Sequence, residues 1–85
     1  MHRVVLFTRA RCHLCDVARE AILAQRDRFS FDFDEVDVEG DDDLELEYGI
    51  RVPVVEIDGD EAFEVTVDPA QLARLLGSEP DPSRS

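Results

Sequence analysis

The feature that most constrains the fold is a change of hydrophobic period around two cysteines near the N-terminus. Residues 3–8 read RVVLFT, a β-branched and aromatic run typical of a buried strand. From residue 14 onward, apolar residues recur at the spacing of a helix. One stripe of that helix comprises Leu14, Val17, Ala18, Ala21 and Ile22. Cys12 and Cys15 lie at the junction, so the sequence predicts a strand, a short cysteine-bearing loop and a helix that runs to about residue 28.

The middle of the chain predicts a second strand and a short helix. Residues 31–38 alternate between apolar and acidic side chains, with a change of phase near Asp34 that indicates a bulge or a later start of the strand. The acidic residues 41–43 suit the positive end of a helix. Leu44 and Tyr48 would face the core from that helix, and Gly49 would end it in a left-handed conformation.

The last part of the chain predicts a hairpin and a final helix. Residues 51–57 and 62–67 read as strands, joined by an Asp58-Gly59 turn that suits two positions of positive φ. Asp68 has the character of an N-cap, followed by a proline at the first helical position. That helix would end at Gly77. Residues 78–85 are polar and proline-containing, which predicts a disordered tail.

The order of the elements indicates the architecture. A strand, a helix and a second strand form a βαβ unit, whose strands are parallel with a right-handed crossover. The hairpin adds antiparallel strands at the other edge. The sequence therefore predicts one α/β domain over residues 1–77, with a four-stranded mixed sheet flanked by three helices.

The net charge restricts the partners that such a domain can bind. The 85 residues include 21 acidic and nine basic side chains, which gives a formal net charge of −12. Nucleic acids and anionic membranes would be repelled by this surface. The N-terminal apolar run is too short for a secretory signal, and no run approaches the roughly 20 apolar residues of a membrane helix. We therefore expect a cytoplasmic protein. We also expect it to be a monomer.

The cysteine pair has three interpretations: a redox pair, part of a metal site, or inert thiols. A disulfide between residues three apart closes too short a loop to stabilise the fold much. In the cytoplasm a CxxC pair is more typical of catalysis or metal binding than of a structural disulfide. A closed zinc site needs about four ligands, and beyond carboxylates only His2 and His13 could join Cys12 and Cys15. An iron–sulfur cluster bridged between two subunits would need only Cys12 from each, with glutathione, so this alternative stays open.

A cysteine at the start of a helix is suited to nucleophilic attack. If the helix begins at His13, Cys12 is its N-cap, and its sulfur can accept a hydrogen bond from the N–H of Leu14 or Cys15. The helix dipole favours the thiolate, and Arg9, Arg11 and a protonated His13 would add to this effect. Such surroundings lower a cysteine pKa from ~8.5 to between ~3.5 and ~7.5. We expect Cys12 to attack a disulfide and Cys15 to resolve the mixed species.

Pro53 interrupts a segment that otherwise suits a central strand, where a missing N–H is costly. Such a departure from local rules often marks a functional site. A proline opposite the cysteines could present the backbone of Val52 to an extended substrate. The alternative is a strand that simply begins at Val54.

These features together resemble the glutaredoxins, and in particular the small bacterial glutaredoxin-like domains that carry CHLC in place of CPYC. The resemblance depends on the strand–CxxC–helix start, the stretch VDVEGDDDLELEYGIRVPVVEIDG and the Leu-rich last helix, and it covers residues 3–77. It implies a thioredoxin fold, a cis peptide at Val52–Pro53, and Cys12 and Cys15 as attacking and resolving thiols.

The resemblance also implies ligand-binding positions. In glutaredoxins a basic residue three positions before the first cysteine helps to hold the glutathione carboxylate, and Arg9 occupies that position. Arg51 stands two before the proline, where a threonine is usual, and would contact ligand or pair with the acidic residues 41–43. Asp68 would anchor an amino group. The Gly-Gly pair that lets the glutaredoxin backbone approach glutathione is replaced here by EVTVDPAQL, which counts against glutathione binding.

The expected function is disulfide reduction or exchange by the Cys12–Cys15 dithiol, acting on protein or glutathione disulfides. Glutathione or a thioredoxin-reductase-type system would supply electrons, and no bound cofactor or metal is required. Two rival functions belong to other classes. One is a carrier of an iron–sulfur cluster or another metal, and the other is a thioredoxin-fold adaptor whose acidic surface binds a protein.

Overall fold

A computed structural model describes residues 2–77 of the chain. The strands are β1 (His2–Thr8), β2 (Phe31–Asp37), β3 (Val54–Ile57) and β4 (Asp60–Glu64). The helices are α1 (His13–Ala24), α2 (Asp42–Tyr48) and α3 (Pro69–Gly77), with a single 3₁₀ turn at Gln25–Asp27 after α1. The predicted tail, residues 78–85, lies outside the described residues.

The strands form one mixed sheet in the order β2-β1-β3-β4. β1 pairs in parallel with β2, and β3 pairs antiparallel with both β1 and β4. This is the predicted four-stranded arrangement, in which a βαβ unit is followed by a hairpin. Because β1 and β2 are parallel, their carboxyl ends lie at the same end of the sheet. The loop that leads to Cys12 begins there.

Two hydrophobic clusters cover the two faces of the sheet, as the alternation of side chains along a strand requires. The larger cluster joins the sheet to α1 and α3 and comprises Val4, Leu6, Ala18, Ile22, Phe31, Val55, Ile57, Leu72 and Leu76. The smaller cluster contains Phe7, Val38 and Val54, with Leu44 and Tyr48 of α2 packed against it. Helices therefore flank both faces. None of the helices within residues 2–77 combines the length and the apolar character needed to cross a bilayer.

The buried side of α1 differs from the predicted stripe. Cys15, Ala18 and Ile22 are buried, whereas Leu14 and Val17 are 44% and 47% exposed. One residue of displacement is about 100° around a helix. The helix is therefore rotated so that small Cys15 and Ala18 side chains approach the sheet, and two of the expected core residues face outward instead.

Both interpretations of the phase change in the second strand, a bulge or a later start, are wrong. β2 pairs with β1 without interruption from Phe31 opposite His2 to Asp37 opposite Thr8. The change of phase near Asp34 arises because the two ends of the strand are covered on different faces. Phe33 packs on the larger cluster, and Val36 packs on the smaller one.

Gly49 is not in the predicted left-handed conformation, since its φ is −53°. The glycine is needed for a different reason. A Cβ atom at this position would lie 2.5 Å from the carbonyl oxygen of Glu45. The absence of a side chain lets the helical turn continue past the last residue of α2, with the Gly49 N–H donating to that same oxygen at 2.8 Å.

Both hairpin strands differ from their predicted limits. β3 begins at Val54, and β4 spans Asp60–Glu64 instead of residues 62–67. The Asp58-Gly59 turn has the two expected positive φ angles, 55° and 88°, and this tight turn starts β4 early. Val65 then leaves the sheet with a φ of 69°.

Candidate redox-active site at the start of helix α1

Cys12 is the N-cap of α1, as the sequence predicts. Its backbone is extended, with a φ of −106°, and its Sγ accepts a hydrogen bond from the backbone N–H of Cys15 at 3.1 Å. The Cys12 carbonyl oxygen accepts the N–H of Asp16 at 3.2 Å, which closes the first helical turn. The sulfur therefore lies where amide N–H groups and the helix dipole favour negative charge.

Cys12 and Cys15 are joined by a disulfide across this first turn, with their Cα atoms 5.2 Å apart. The two residues differ in access to solvent, because Cys12 is partly exposed and Cys15 is only 1% exposed. An incoming thiol would meet Cys12 first. The predicted division into an attacking Cys12 and a resolving Cys15 stays a prediction.

The loop before the cysteines turns sharply at Arg11, whose φ is 59°. Arg11 and His13 are both exposed and flank Cys12 in the sequence. Within residues 2–77 neither side chain has a hydrogen-bond or ion-pair partner. Their predicted influence on the Cys12 thiolate stays a prediction.

The Arg9 side chain forms hydrogen bonds to helix α2. Its guanidinium donates to the carbonyl oxygen of Gly49 at 2.9 Å and to a carboxylate oxygen of Glu45 at 3.0 Å. Glu39 lies 3.5 Å from its Nε. The side chain thus ties the loop before Cys12 to the C-terminal end of α2, and no hydrogen bond joins it to either sulfur. Sequence reasoning missed these acidic partners, because 21 carboxylates offer no local signal for choosing among them.

Arg51 is likewise engaged, and not with the predicted acidic residues 41–43. It donates to the carbonyl oxygen of Glu47 at 3.0 and 3.2 Å, which caps the end of α2. Its Nη1 lies 2.8 Å from Glu61 and 3.1 Å from Glu64 on β4. Hydrogen bonds to these two carboxylates raise the pKa of Arg51. Arg51 therefore links α2 to the hairpin.

The Val52–Pro53 peptide bond is cis, as the resemblance implied. Pro53 is buried, and its carbonyl oxygen accepts the N–H of Val65 at 2.8 Å. The next residue, Val54, pairs with Phe7 near the carboxyl end of β1. This loop therefore lies at the same end of the sheet as the cysteine loop. Among residues 2–77, the backbone N–H and C=O of half-buried Val52 have no hydrogen-bond partner. Their predicted contact with a substrate stays a prediction.

Asp68 caps α3 with its side chain, as predicted, because its Oδ1 accepts the N–H of Ala70 at 3.0 Å. The Asp68 carbonyl oxygen also accepts the N–H of Leu72 at 2.9 Å. One carboxylate oxygen is thereby committed to the helix. Its predicted contact with an amino group stays a prediction.

Metal ligands are not grouped in the described part of the chain. Within residues 2–77, no set of three or more His, Cys, Asp and Glu side chains is arranged to hold an ion. His2 instead binds Asp58 in the hairpin turn, and Cys12 and Cys15 bind one another.

The sequence model of the glutaredoxin-like domain family (DUF836) matches residues 3–77, nearly the whole of the chain. The chain belongs to this family. An uncharacterized protein of Mycobacterium tuberculosis is 36% identical to this glutaredoxin-like domain, over 93% of the chain and 92% of that protein.

Solved structures agree with this assignment. A structural-genomics target protein from X. campestris is 36% identical to the glutaredoxin-like domain, with a TM-score of 0.73, covering 91% of this chain and 99% of that one. A thioredoxin from Halobacterium salinarum shares the fold at 23% identity, with a TM-score of 0.67, over 95% of this chain and 78% of its own. The glutaredoxin-like domain therefore has a thioredoxin-like α/β fold.

Proposed function

We propose that this glutaredoxin-like domain is a thiol–disulfide oxidoreductase that uses Cys12 and Cys15 as a dithiol. In the reduced protein, the Cys12 thiolate attacks one sulfur of a substrate disulfide and expels the other as a thiolate. Cys15 then attacks Sγ of Cys12 and expels the second substrate thiolate. Two electrons pass to the substrate, the two products take up protons from water, and the Cys12–Cys15 disulfide remains.

The observation that carries the proposal is the unequal exposure of two bonded cysteines at the start of a helix. Cys12 is partly exposed and caps α1, whereas Cys15 is 1% exposed. Attack on an external disulfide needs an accessible thiolate, and resolution needs a second thiol that competes poorly for external substrate. The hydrogen bond from the Cys15 N–H supports the ionised form of Cys12 once the disulfide is opened.

The substrate would lie along the loop that contains the cis proline. The backbone N–H and C=O of Val52, which no group within residues 2–77 binds, would pair with an extended segment next to the substrate disulfide. Protein disulfides suit this arrangement. Glutathione disulfide is supported less well, because Arg9 is engaged by α2 and Asp68 by α3, while the Gly-Gly pair is absent.

Regeneration of the dithiol requires an external reductant. A thiol such as glutathione, or a thioredoxin-reductase-type protein, would supply the two electrons, so glutathione could act as co-substrate without a dedicated binding site. The cytoplasm maintains such reductants, and we propose that compartment as the place of action. The chemistry of the two sulfurs needs no bound organic cofactor or metal.

The test uses the small neutral disulfide 2-hydroxyethyl disulfide, whose reduction by the dithiol protein can be followed with mass spectrometry. Cys12→Ser should abolish the reaction, whereas Cys15→Ser should accumulate a mixed disulfide on Cys12. The two variants are matched, since each keeps one sulfur in the same turn. Equal rates for Cys12→Ser and the wild type, or no adduct on Cys15→Ser, would refute the proposal.

A further inference from the structure

Helix α2 exposes two large aliphatic side chains. Leu46 is 89% exposed, and Ile50, just beyond the helix, is 96% exposed. Single exposed apolar residues are ordinary on protein surfaces. Two branched aliphatics that are almost completely exposed and four residues apart form a feature that needs an explanation.

The two side chains lie on the same side of the helix. The inner face of α2 uses Leu44 and Tyr48, which pack on the smaller cluster. The helical turn continues past Tyr48, since Arg51 donates its N–H to the Tyr48 carbonyl oxygen at 2.8 Å. Residues four apart along a helical backbone lie on one side of it, and both side chains are almost completely exposed, so Leu46 and Ile50 both point away from the core.

Carboxylates surround this pair. We call the exposed residues on this side of the helix the outer face of α2, and they are Asp42, Asp43, Leu46, Glu47 and Ile50. Nearby positive charge is already engaged, because the guanidinium groups of Arg9 and Arg51 bind acidic side chains. Glu47 lies 3.9 Å from Arg51, whereas no cation within residues 2–77 pairs with Asp42 or Asp43. The outer face therefore combines exposed apolar side chains with two carboxylates whose charge is not balanced.

The C-terminal end of α2 is tied to the loop that precedes Cys12. Arg9, three residues before Cys12, binds the carbonyl oxygen of Gly49 at the end of α2. Ile50 follows directly, three residues before the cis proline. A polypeptide whose disulfide reaches Cys12 could therefore also cover Ile50 and Leu46.

The charge of the chain decides which partner fits. A second copy would bring another net charge of −12 against the same acidic residues, and like charges oppose such contact. A partner with arginine or lysine around an apolar side chain complements both components of the surface.

We propose that the outer face of α2 is the docking surface for a positively charged polypeptide whose disulfide is reduced at Cys12. This inference rests on the proposed function and names its substrate class. Opposite charge raises the rate of encounter, and Leu46 and Ile50 hold the bound segment by apolar contact.

The experiment compares three disulfide peptides of equal length, flanked by Arg and Leu, by Glu and Leu, or by Arg and Ser. The reduced domain should reduce the Arg/Leu peptide roughly 10-fold faster than the Glu/Leu peptide at low salt. The ratio should approach one near about 1 M salt, where the Debye length falls to about 3 Å. The rate for the Arg/Leu peptide should also exceed the rate for the Arg/Ser peptide.

Two pairs of variants test the surface itself. Leu46→Ser with Ile50→Ser should slow the Arg/Leu peptide to the rate of the Arg/Ser peptide, whereas Leu23→Ser, at a partly exposed position on α1, should not. Asp42→Asn with Asp43→Asn should remove much of the charge preference. A matched control, Asp27→Asn with Asp32→Asn, changes the net charge equally at the opposite end of the sheet and should leave the preference intact.

The small neutral disulfide separates the two levels of the proposal. Its reduction should be unchanged in every surface variant. If the domain reduces 2-hydroxyethyl disulfide but shows no preference among the peptides, the docking surface is refuted and the redox function stands. If it reduces no disulfide at all, both are refuted. Dimerisation of the wild type that Leu46→Ser abolishes would assign the face to a second copy and overturn the inference.

Discussion

Replacing Arg9 with methionine should destabilise the domain, because this side chain joins two parts of the fold that are distant in sequence. The guanidinium donates to Gly49 at the end of α2 and to Glu45 within it. Methionine keeps much of the aliphatic stem and removes both hydrogen bonds. The loss would also leave Glu39 and Glu45 without the positive charge between them.

The magnitude follows from the contacts and their exposure. Hydrogen bonds to charged groups contribute about 1.5–3 kcal/mol when well buried, whereas exposed ion pairs contribute about 0–1 kcal/mol. The Arg9 side chain is 37% exposed, so we assign about 1 kcal/mol to each of its two hydrogen bonds. The expected loss is about 2 kcal/mol in the free energy of unfolding, or about 8–16 °C in Tm for a domain of this size.

The assay is urea unfolding followed by circular dichroism, with Arg3→Met as the matched control. Arg3 also makes two hydrogen bonds to one carboxylate, that of Asp34, but both side chains are more exposed. This control should lose less than about 1 kcal/mol. If Arg9→Met is no less stable than Arg3→Met, the structural role is refuted. A raised KM for glutathione at unchanged stability would instead favour the ligand contact that the family resemblance implies.

Three further predictions follow from other parts of the structure. Gly49→Ala should cost about 1–3 kcal/mol in unfolding free energy, because its Cβ would lie 2.5 Å from a backbone oxygen. The control Gly77→Ala should cost clearly less, because its Cβ would have its nearest neighbour at 3.4 Å. Equal costs would contradict the argument. Burial of Asp58 opposes ionisation, but hydrogen bonds from the Arg3 N–H and from His2 outweigh it and lower the pKa of Asp58. The stabilisation is therefore present above the unfolded-state pKa and lost as the pH falls through the folded-state pKa, so Asp58→Asn should flatten the acid side of a stability–pH curve. The rate of Cys12 alkylation in the reduced protein should reach half its maximum below pH ~8.5, the pKa of free cysteine. His13→Ala should move that midpoint to higher pH. An unchanged midpoint would show that His13 does not stabilise the Cys12 thiolate.

Local features of the sequence determined most of the arrangement of Cys12 and Cys15. A cysteine directly before a predicted helix is in position to cap it. The capping hydrogen bond of Cys12 joins residues only three apart along the chain. The Asp58-Gly59 turn and the Asp68 cap are local in the same sense, and the structure has both. The element order then restricted the sheet to the βαβ-plus-hairpin arrangement.

Tertiary structure alone decided which side of α1 faces the sheet, where the hairpin strands begin, and which acidic groups hold Arg9 and Arg51. Each outcome depends on groups many residues apart. A helix can bury either of two neighbouring stripes until the sheet that it covers is in place, and many carboxylates could neutralise a given arginine until the fold selects the near ones. Periodicity and capping are settled by adjacent residues, whereas the partners of long charged side chains are settled only when the whole chain has packed.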